Sequence, residues 1–170
     1  MQKILGILLS LLCLTALAAC GAKKKELSKL EQAQINNYYE TARRELFIKN
    51  YAAAEQALVA VVKIDDSLAS VWLDIGVLRA RLQKKSEARD AYKKALSTSE
   101  AAFAKEPQNQ TMLITRLRSL ILLGRADDAR GVMTKVARQN PGNATYQDLE
   151  KQKVVDVLLA DPQIRDAVVP

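Results

Sequence analysis

The sequence contains no histidine, and this absence removes several kinds of catalytic and metal site at once. Without imidazole the chain can form no Ser-His-Asp triad, no Cys-His dyad and no zinc site that includes histidine. Only two cysteines are present, Cys13 and Cys20, and Cys13 lies within an apolar run. If that run is removed, one cysteine remains, so no disulfide can form inside the mature chain. We expect no metal and no cofactor.

Aromatic residues are also scarce, at 5% of the 170 residues, which is a length that suits one ordinary domain. The net charge is +7, from 26 Lys and Arg against 19 Asp and Glu, and both signs are interspersed along the chain. A nucleic-acid binder usually carries a denser basic stripe with interleaved aromatics. We therefore expect no nucleic acid among the partners.

The first 19 residues have the three-part pattern of a secretory signal peptide. A short basic start, Met1 to Lys3, is followed by an almost wholly apolar stretch, Ile4 to Leu14, and then by small residues, Thr15 to Ala19. The run from Ile4 to Ala19 has 16 positions, whereas a membrane-spanning helix needs about 20. The pattern predicts a cleaved signal rather than a transmembrane helix.

The end of this segment, Leu17-Ala18-Ala19-Cys20, resembles the bacterial lipobox. The resemblance implies that the Cys20 thiol receives a diacylglyceryl group, that cleavage falls between Ala19 and Cys20, and that the new amino terminus is acylated, typically with palmitate. A thiol is the nucleophile that such a transfer requires. The alternative is an ordinary secretory signal with a cysteine there by chance.

Gly21 follows the cysteine, where an aspartate would favour retention in the inner membrane of a Gram-negative cell. The resemblance therefore implies an anchor in the outer membrane, facing the periplasm. Residues 20–34 would comprise the lipidated cysteine, a tether and the start of the first helix. The tether's lysines could touch anionic headgroups, but a solvated spacer is the favoured interpretation.

The remaining chain shows a period of 34 residues. Pro107 and Pro141 stand 34 positions apart, and "LQKKSEA" at 82–88 has a counterpart in "LGRADDA" at 123–129. Apolar residues recur at spacings of three and four, which is typical of helices, and no segment alternates with period two. The sequence predicts an all-α fold.

This period, with its residue pattern, resembles the tetratricopeptide repeat, in which each repeat is a pair of antiparallel helices. The middle unit, 69–102, matches six family positions without a gap: Trp72, Leu73, Gly76, Ala88, Tyr92 and Ala95. The resemblance implies a right-handed superhelix over 35–143, with repeats at 35–68, 69–102 and 110–143. We expect Gly76 and Ala88 to lie where the helices of the middle hairpin approach closely.

Several local features refine this map. Residues 103–109 are extra and should lengthen the second helix of the middle repeat. Leu117 stands where a small residue is expected, so the third hairpin should be splayed or shifted. Asn50 and Gly124 suit a left-handed turn after a first helix. Residues 144–170 should form capping helices: one over 145–159, a short one that begins at Asp161-Pro162, and a docked tail.

In this family the first helix of each repeat lines a concave face, and the resemblance places a set of apolar residues and three arginines there. The arginines are Arg43, Arg81 and Arg118, which we expect to orient an acidic stretch of a bound peptide, with apolar side chains contributing most of the affinity. The predicted partner-binding residues are Tyr39, Arg43, Phe47, Leu73, Arg81, Ile114 and Arg118.

These features favour a membrane-anchored adaptor that binds an envelope protein or peptide in its groove. The alternative is a subunit of a larger envelope assembly, working through the edges of the solenoid; pilotins of secretins and accessory subunits of outer-membrane assembly machinery have a similar architecture. Without histidine an enzyme would need paired carboxylates or a lysine base. The pairs Asp65-Asp66 and Asp127-Asp128 are expected at helix starts, where negative charge suits the helix dipole. We therefore expect no enzymatic activity.

Overall fold

The computed structural model describes residues 26–169, and all regular secondary structure in this range is helical. The predicted signal peptide, its cleavage point and Cys20 lie outside the described residues. The helices are α1 (Lys29–Phe47), α2 (Tyr51–Ile64), α3 (Ala69–Arg81), α4 (Lys85–Lys105), α5 (Gln110–Leu122), α6 (Ala126–Gln139), α7 (Ala144–Lys151), α8 (Val154–Ala160) and α9 (Pro162–Arg165).

The first six helices form three consecutive hairpins, α1–α2, α3–α4 and α5–α6. Neighbouring hairpins also pack on each other, α2 against α3 and α4 against α5. This arrangement buries two adjoining apolar clusters, one centred on the first hairpin and one on the third, and Trp72 packs against both. The predicted all-α repeat fold is confirmed.

The turn between the helices of each hairpin uses a residue with positive φ. These residues are Lys49 at 58°, Gln83 at 62° and Gly124 at 74°. Lys49 and Gln83 are 34 positions apart, and Gly124 follows 41 positions later, because seven extra residues intervene. The expectation for Gly124 was right. The expectation for Asn50 was wrong by one residue, since Asn50 instead caps α2 by accepting a hydrogen bond from the backbone of Ala53.

The helices of the middle hairpin pack closely at Gly76 and Ala88, the two positions where the sequence predicts a close approach. Ala88 is fully buried, and a methyl group added at Gly76 would overlap the ring of Tyr92. The third hairpin packs less closely than the first two, as the bulk of the buried Leu117 predicts. α4 runs for 21 residues, seven more than α2 or α6, so the insertion lengthens this helix as predicted, and residues 106–109 form the turn before α5.

The C-terminal region differs from the single helix expected over 145–159. Lys153 has a φ of 49°, which breaks this stretch into α7 and α8. The chain can therefore turn back over the third hairpin, and α8 lies against both α6 and α5. Asp161 caps α9 and Pro162 begins it, as predicted.

Residues 162–169, here called the strap, return along α5 as the last described part of the chain. Ile164, Ala167 and Val169 are buried, which confirms the expected docking of the tail. Two hydrogen bonds to the backbone fix the strap. The Val169 N–H donates to the Leu122 carbonyl (2.8 Å), and the Tyr92 hydroxyl donates to the Ala167 carbonyl (3.0 Å).

Candidate partner-binding groove

A cavity of about 620 Å³ lies between α1 and α3, the first helices of the first two repeats. Residues on one face of each helix point into it, because they recur at helical spacings of three, four and seven. Leu58 of α2 and Gln163 of the strap also line the cavity. The lining residues are Asn36, Tyr39, Glu40, Ala42, Arg43, Leu46, Leu58, Asp74, Val77, Leu78, Arg81 and Gln163.

Three of the predicted contact residues line this cavity, namely Tyr39, Arg43 and Arg81. Phe47 does not line it; at 89% exposure, its side chain projects into solvent at the end of α1. Leu73 is only 2% exposed and belongs to the apolar core between the second and third hairpins. The prediction that Leu73 contacts a partner is therefore wrong, because its face of α3 packs inside the solenoid.

The third repeat contributes no residue to the lining of the cavity, and the strap lies over α5. Leu122 occupies the position that is Arg81 in the second repeat and Phe47 in the first, and it is fully buried next to Val169. Ile114 is half-buried and packs against the core. The groove that the sequence predicts over three repeats is thus confined to two.

Arg118 also lies outside the cavity lining. Its Nε atom is buried and has no hydrogen-bond partner among the described residues. The side chain as a whole is half-buried, and its charge is near enough to Asp74 to act on that carboxylate. Arg118 therefore differs in placement from Arg43 and Arg81, and its role in partner binding stays a prediction.

The two arginines of the cavity are held differently. Arg43 forms an ion pair with Glu40 at 3.4 Å, and both side chains are largely exposed. The Arg81 guanidinium lies 5.3 Å from the centre of the Tyr51 ring and donates a hydrogen bond to the Tyr51 hydroxyl at 3.3 Å. Stacking on an aromatic ring orients the guanidinium while leaving it available to an anion.

Asp74 is a groove residue that the sequence reasoning missed. It precedes Val77 by three residues and Arg81 by seven, so helical spacing alone places it on the groove face of α3. Asp74 is exposed to the cavity, although the cavity walls partly desolvate its carboxylate. This desolvation raises the pKa of Asp74, and the positive charge of Arg118 lowers it only in part. Burial and the nearby carboxylates of Asp74 and Asp65 also raise the pKa of Tyr39.

The carboxylate pairs considered for catalysis do not converge in the cavity. Asp127 and Asp128 lie in the first turn of α6, as expected, and bond to Arg130 and Arg125. The other pair departs from the expectation, because Asp65 ends α2 instead of starting a helix.

A family model for the tetratricopeptide repeat matches residues 88–152, which run from α4 through α7 to the break before α8. The match and the hairpin architecture agree on an all-α helical repeat fold of tetratricopeptide type. A repeat of this kind indicates a role in binding other proteins. A search among curated proteins finds none that matches the chain. Within residues 26–169, no helix combines the length and the apolar character needed to cross a membrane.

Proposed function

We propose that this protein is a lipid-anchored adaptor of the bacterial cell envelope that binds a peptide segment of a partner protein in the groove between α1 and α3. The observation that carries the proposal is the open cavity of about 620 Å³, which presents Tyr39, Leu46 and Val77 beside Arg43 and Arg81. Apolar floors with a few charged groups at defined positions are typical of peptide-binding grooves.

The anchor is proposed from the lipobox pattern at Leu17 to Cys20. A chain that carries two or three acyl groups stays on a membrane, because each buried CH₂ contributes about 0.8 kcal/mol. Gly21 supports an outer-membrane location facing the periplasm. In this arrangement residues 21–25 are a short tether that holds the repeats close to the bilayer surface.

We propose a binding role without catalysis. The chain has no histidine. The charged side chains of the cavity are Glu40, Arg43, Asp74 and Arg81, and Glu40 is already paired with Arg43. Among the lining residues Asp74 is the one carboxylate that is not paired directly, and a single carboxylate of this kind suits recognition better than proton transfer.

Site-specific photo-crosslinking in the native host tests the groove. A photoreactive residue at the position of Tyr39 should capture a partner, whereas the same group at Arg89, which is exposed on α4, should not. The double variant Arg43→Glu, Arg81→Glu should weaken the capture, more so at low salt than at high salt, because charge pairs in an open groove are screened. Capture that is equal from both positions, or unchanged in a folded double variant, would place the site elsewhere.

A second candidate function is assembly through an edge of the solenoid. Phe47 and Ile48, at 89% and 65% exposure, form an apolar tip at the turn between α1 and α2. Exposed apolar groups that lie together often mark an interaction surface. This candidate predicts that Phe47→Ser, and not Arg43→Glu with Arg81→Glu, abolishes the crosslinked complex.

A further inference from the structure

The groove carries charges of both signs, and they are separated along α3. Asp74 and Arg81 are seven residues apart and both line the cavity. Seven residues are about two helical turns, so the two side chains share a face of α3. Their Cα atoms are separated by about 10 Å along the helix axis. Val77 and Leu78 lie between them and give the intervening floor an apolar character.

Neither of these two charges forms a direct ion pair in the part of the chain that the structure describes. Asp74 takes part in no hydrogen bond there, although the charge of Arg118 acts on it from beyond ion-pair distance. Arg81 bonds only to the uncharged Tyr51. By contrast, the buried Glu55 binds both Arg79 (2.7 Å) and Lys84 (2.8 Å). The fold therefore pairs the buried carboxylate of Glu55 directly and leaves the exposed carboxylate of Asp74, which faces the groove, without a direct ion pair.

The surroundings of Asp74 favour a cation that arrives from outside. Burial raises its pKa even though Arg118 is near enough to lower it. A desolvated carboxylate gains more from a cationic partner than a fully hydrated one, since attraction between opposite charges strengthens as water is excluded.

We propose that the groove binds an extended peptide in which a lysine or arginine pairs with Asp74, an acidic residue about three positions away pairs with Arg81, and an apolar side chain between them lies on Val77 and Leu78. This deepens the proposed function and depends on it. The spacing follows from the chain's reach of about 3.3 Å per residue, so three residues span about 10 Å. The purely acidic stretch that the sequence suggests would instead set a like charge against Asp74.

The strap limits this site to a short segment. Gln163 lines the cavity at the side towards the third repeat, and the buried Ile164 and Val169 hold the strap in place. The recognition element is accordingly a few residues long and makes its contacts within the first two repeats.

The test is selection of random 12-residue peptides displayed on phage against the full-length protein in detergent. The proposal expects enriched peptides that carry a basic and an acidic residue about three positions apart, with an apolar residue between them. Binding of a synthetic copy should fall about tenfold for Asp74→Asn and for Arg81→Gln, as loss of a charged hydrogen bond implies. Asp90→Asn and Arg89→Gln, at exposed positions of α4, are the matched controls and should stay within about twofold.

Replacing the peptide's basic residue with glutamine should weaken binding to the parent protein and have little further effect on Asp74→Asn, because the two changes remove one interaction. Enriched peptides that are acidic throughout and insensitive to Asp74→Asn would overturn this inference and leave groove binding intact. If no enriched peptide loses affinity for a folded Arg43→Glu, Arg81→Glu variant, then groove binding itself is wrong. Circular dichroism confirms that each variant is folded.

Discussion

At the scale of single residues, the contact between Gly76 and Tyr92 decides how closely the middle hairpin packs. Tyr92 is fully buried, and its ring lies where a side chain at position 76 would begin. The same ring carries the hydroxyl that binds the strap. Tyr92 thus links the contact within the middle hairpin to the strap. Its ring cannot shift without disturbing both the contact with Gly76 and the hydrogen bond to Ala167.

We therefore predict that Gly76→Ala destabilises the protein by about 1–3 kcal/mol through overpacking. Gly131→Ala is the matched control, because it also lies inside a helix but has open space around it. There the substitution should stabilise by about 0.5–1 kcal/mol, since alanine suits a helix better than glycine. Urea unfolding measures both, and equal effects at the two positions would contradict the packing described for Tyr92.

At the scale of helices, Glu55 ties α2 to the second hairpin. Its carboxylate is buried and accepts hydrogen bonds from Arg79 of α3 and from Lys84, which precedes α4. Burial by itself would raise the pKa of Glu55, but the hydrogen bonds and charges of Lys84 and Arg79 outweigh it, so the pKa is lowered. The ionised form is therefore the one that the fold stabilises.

We predict that Glu55→Gln costs about 1–3 kcal/mol at pH 7, because two cations lose their charged acceptor. Since the pKa of Glu55 is lower in the folded than in the unfolded chain, this stabilisation is complete above about pH 4.3 and is lost as the pH falls through the folded value. Urea melts of parent and variant should thus converge as the pH falls below the folded pKa of Glu55. A constant difference between the two, or an equal cost for the exposed Asp90→Asn, would show that the ion pairs do not carry the effect.

At the scale of the whole molecule, the proposed anchor governs where the repeats work. Cys20→Ser should release the protein from the membrane fraction or leave it unprocessed, because serine lacks the thiol that receives the lipid. Cys13→Ser is the matched control and should remain anchored, since it leaves the lipobox unchanged. Membrane fractionation and mass spectrometry of the amino terminus measure both. A Cys20→Ser variant that stays anchored, together with a parent protein that carries no lipid, would contradict the lipobox hypothesis.

The sequence by itself determined the helical repeat, because its signals are local and periodic. The 34-residue period locates the hairpins, and small residues at Gly76 and Ala88 mark a close helix contact. The seven extra residues at 103–109 predict the longer α4. The sequence did not determine the exact turn positions within the hairpins. Lys49 and Gln83 adopt positive φ although neither is glycine or asparagine, so the turn position follows the packing of the hairpins rather than local preference.

Part of the groove could also be read from the sequence. Tyr39, Arg43 and Arg81 follow from family positions on a helical face, and Asp74 was available from the same spacing. The prediction for Leu73 is wrong because two faces of α3 are apolar, and residue spacing does not tell which face a neighbouring helix covers. The prediction for Cys20 and the tether remains a prediction.

Tertiary structure alone decided how much of the concave face stays open. The break at Lys153 turns the chain back, and the strap then covers Leu122 at the position where the second repeat exposes Arg81. Tyr92 and Ala167 meet across 75 positions, a distance in sequence over which no period or local motif carries information. Local preferences fix the helices, but burial of the last apolar residues of the chain against a distant hairpin fixes the shape and charge of the groove.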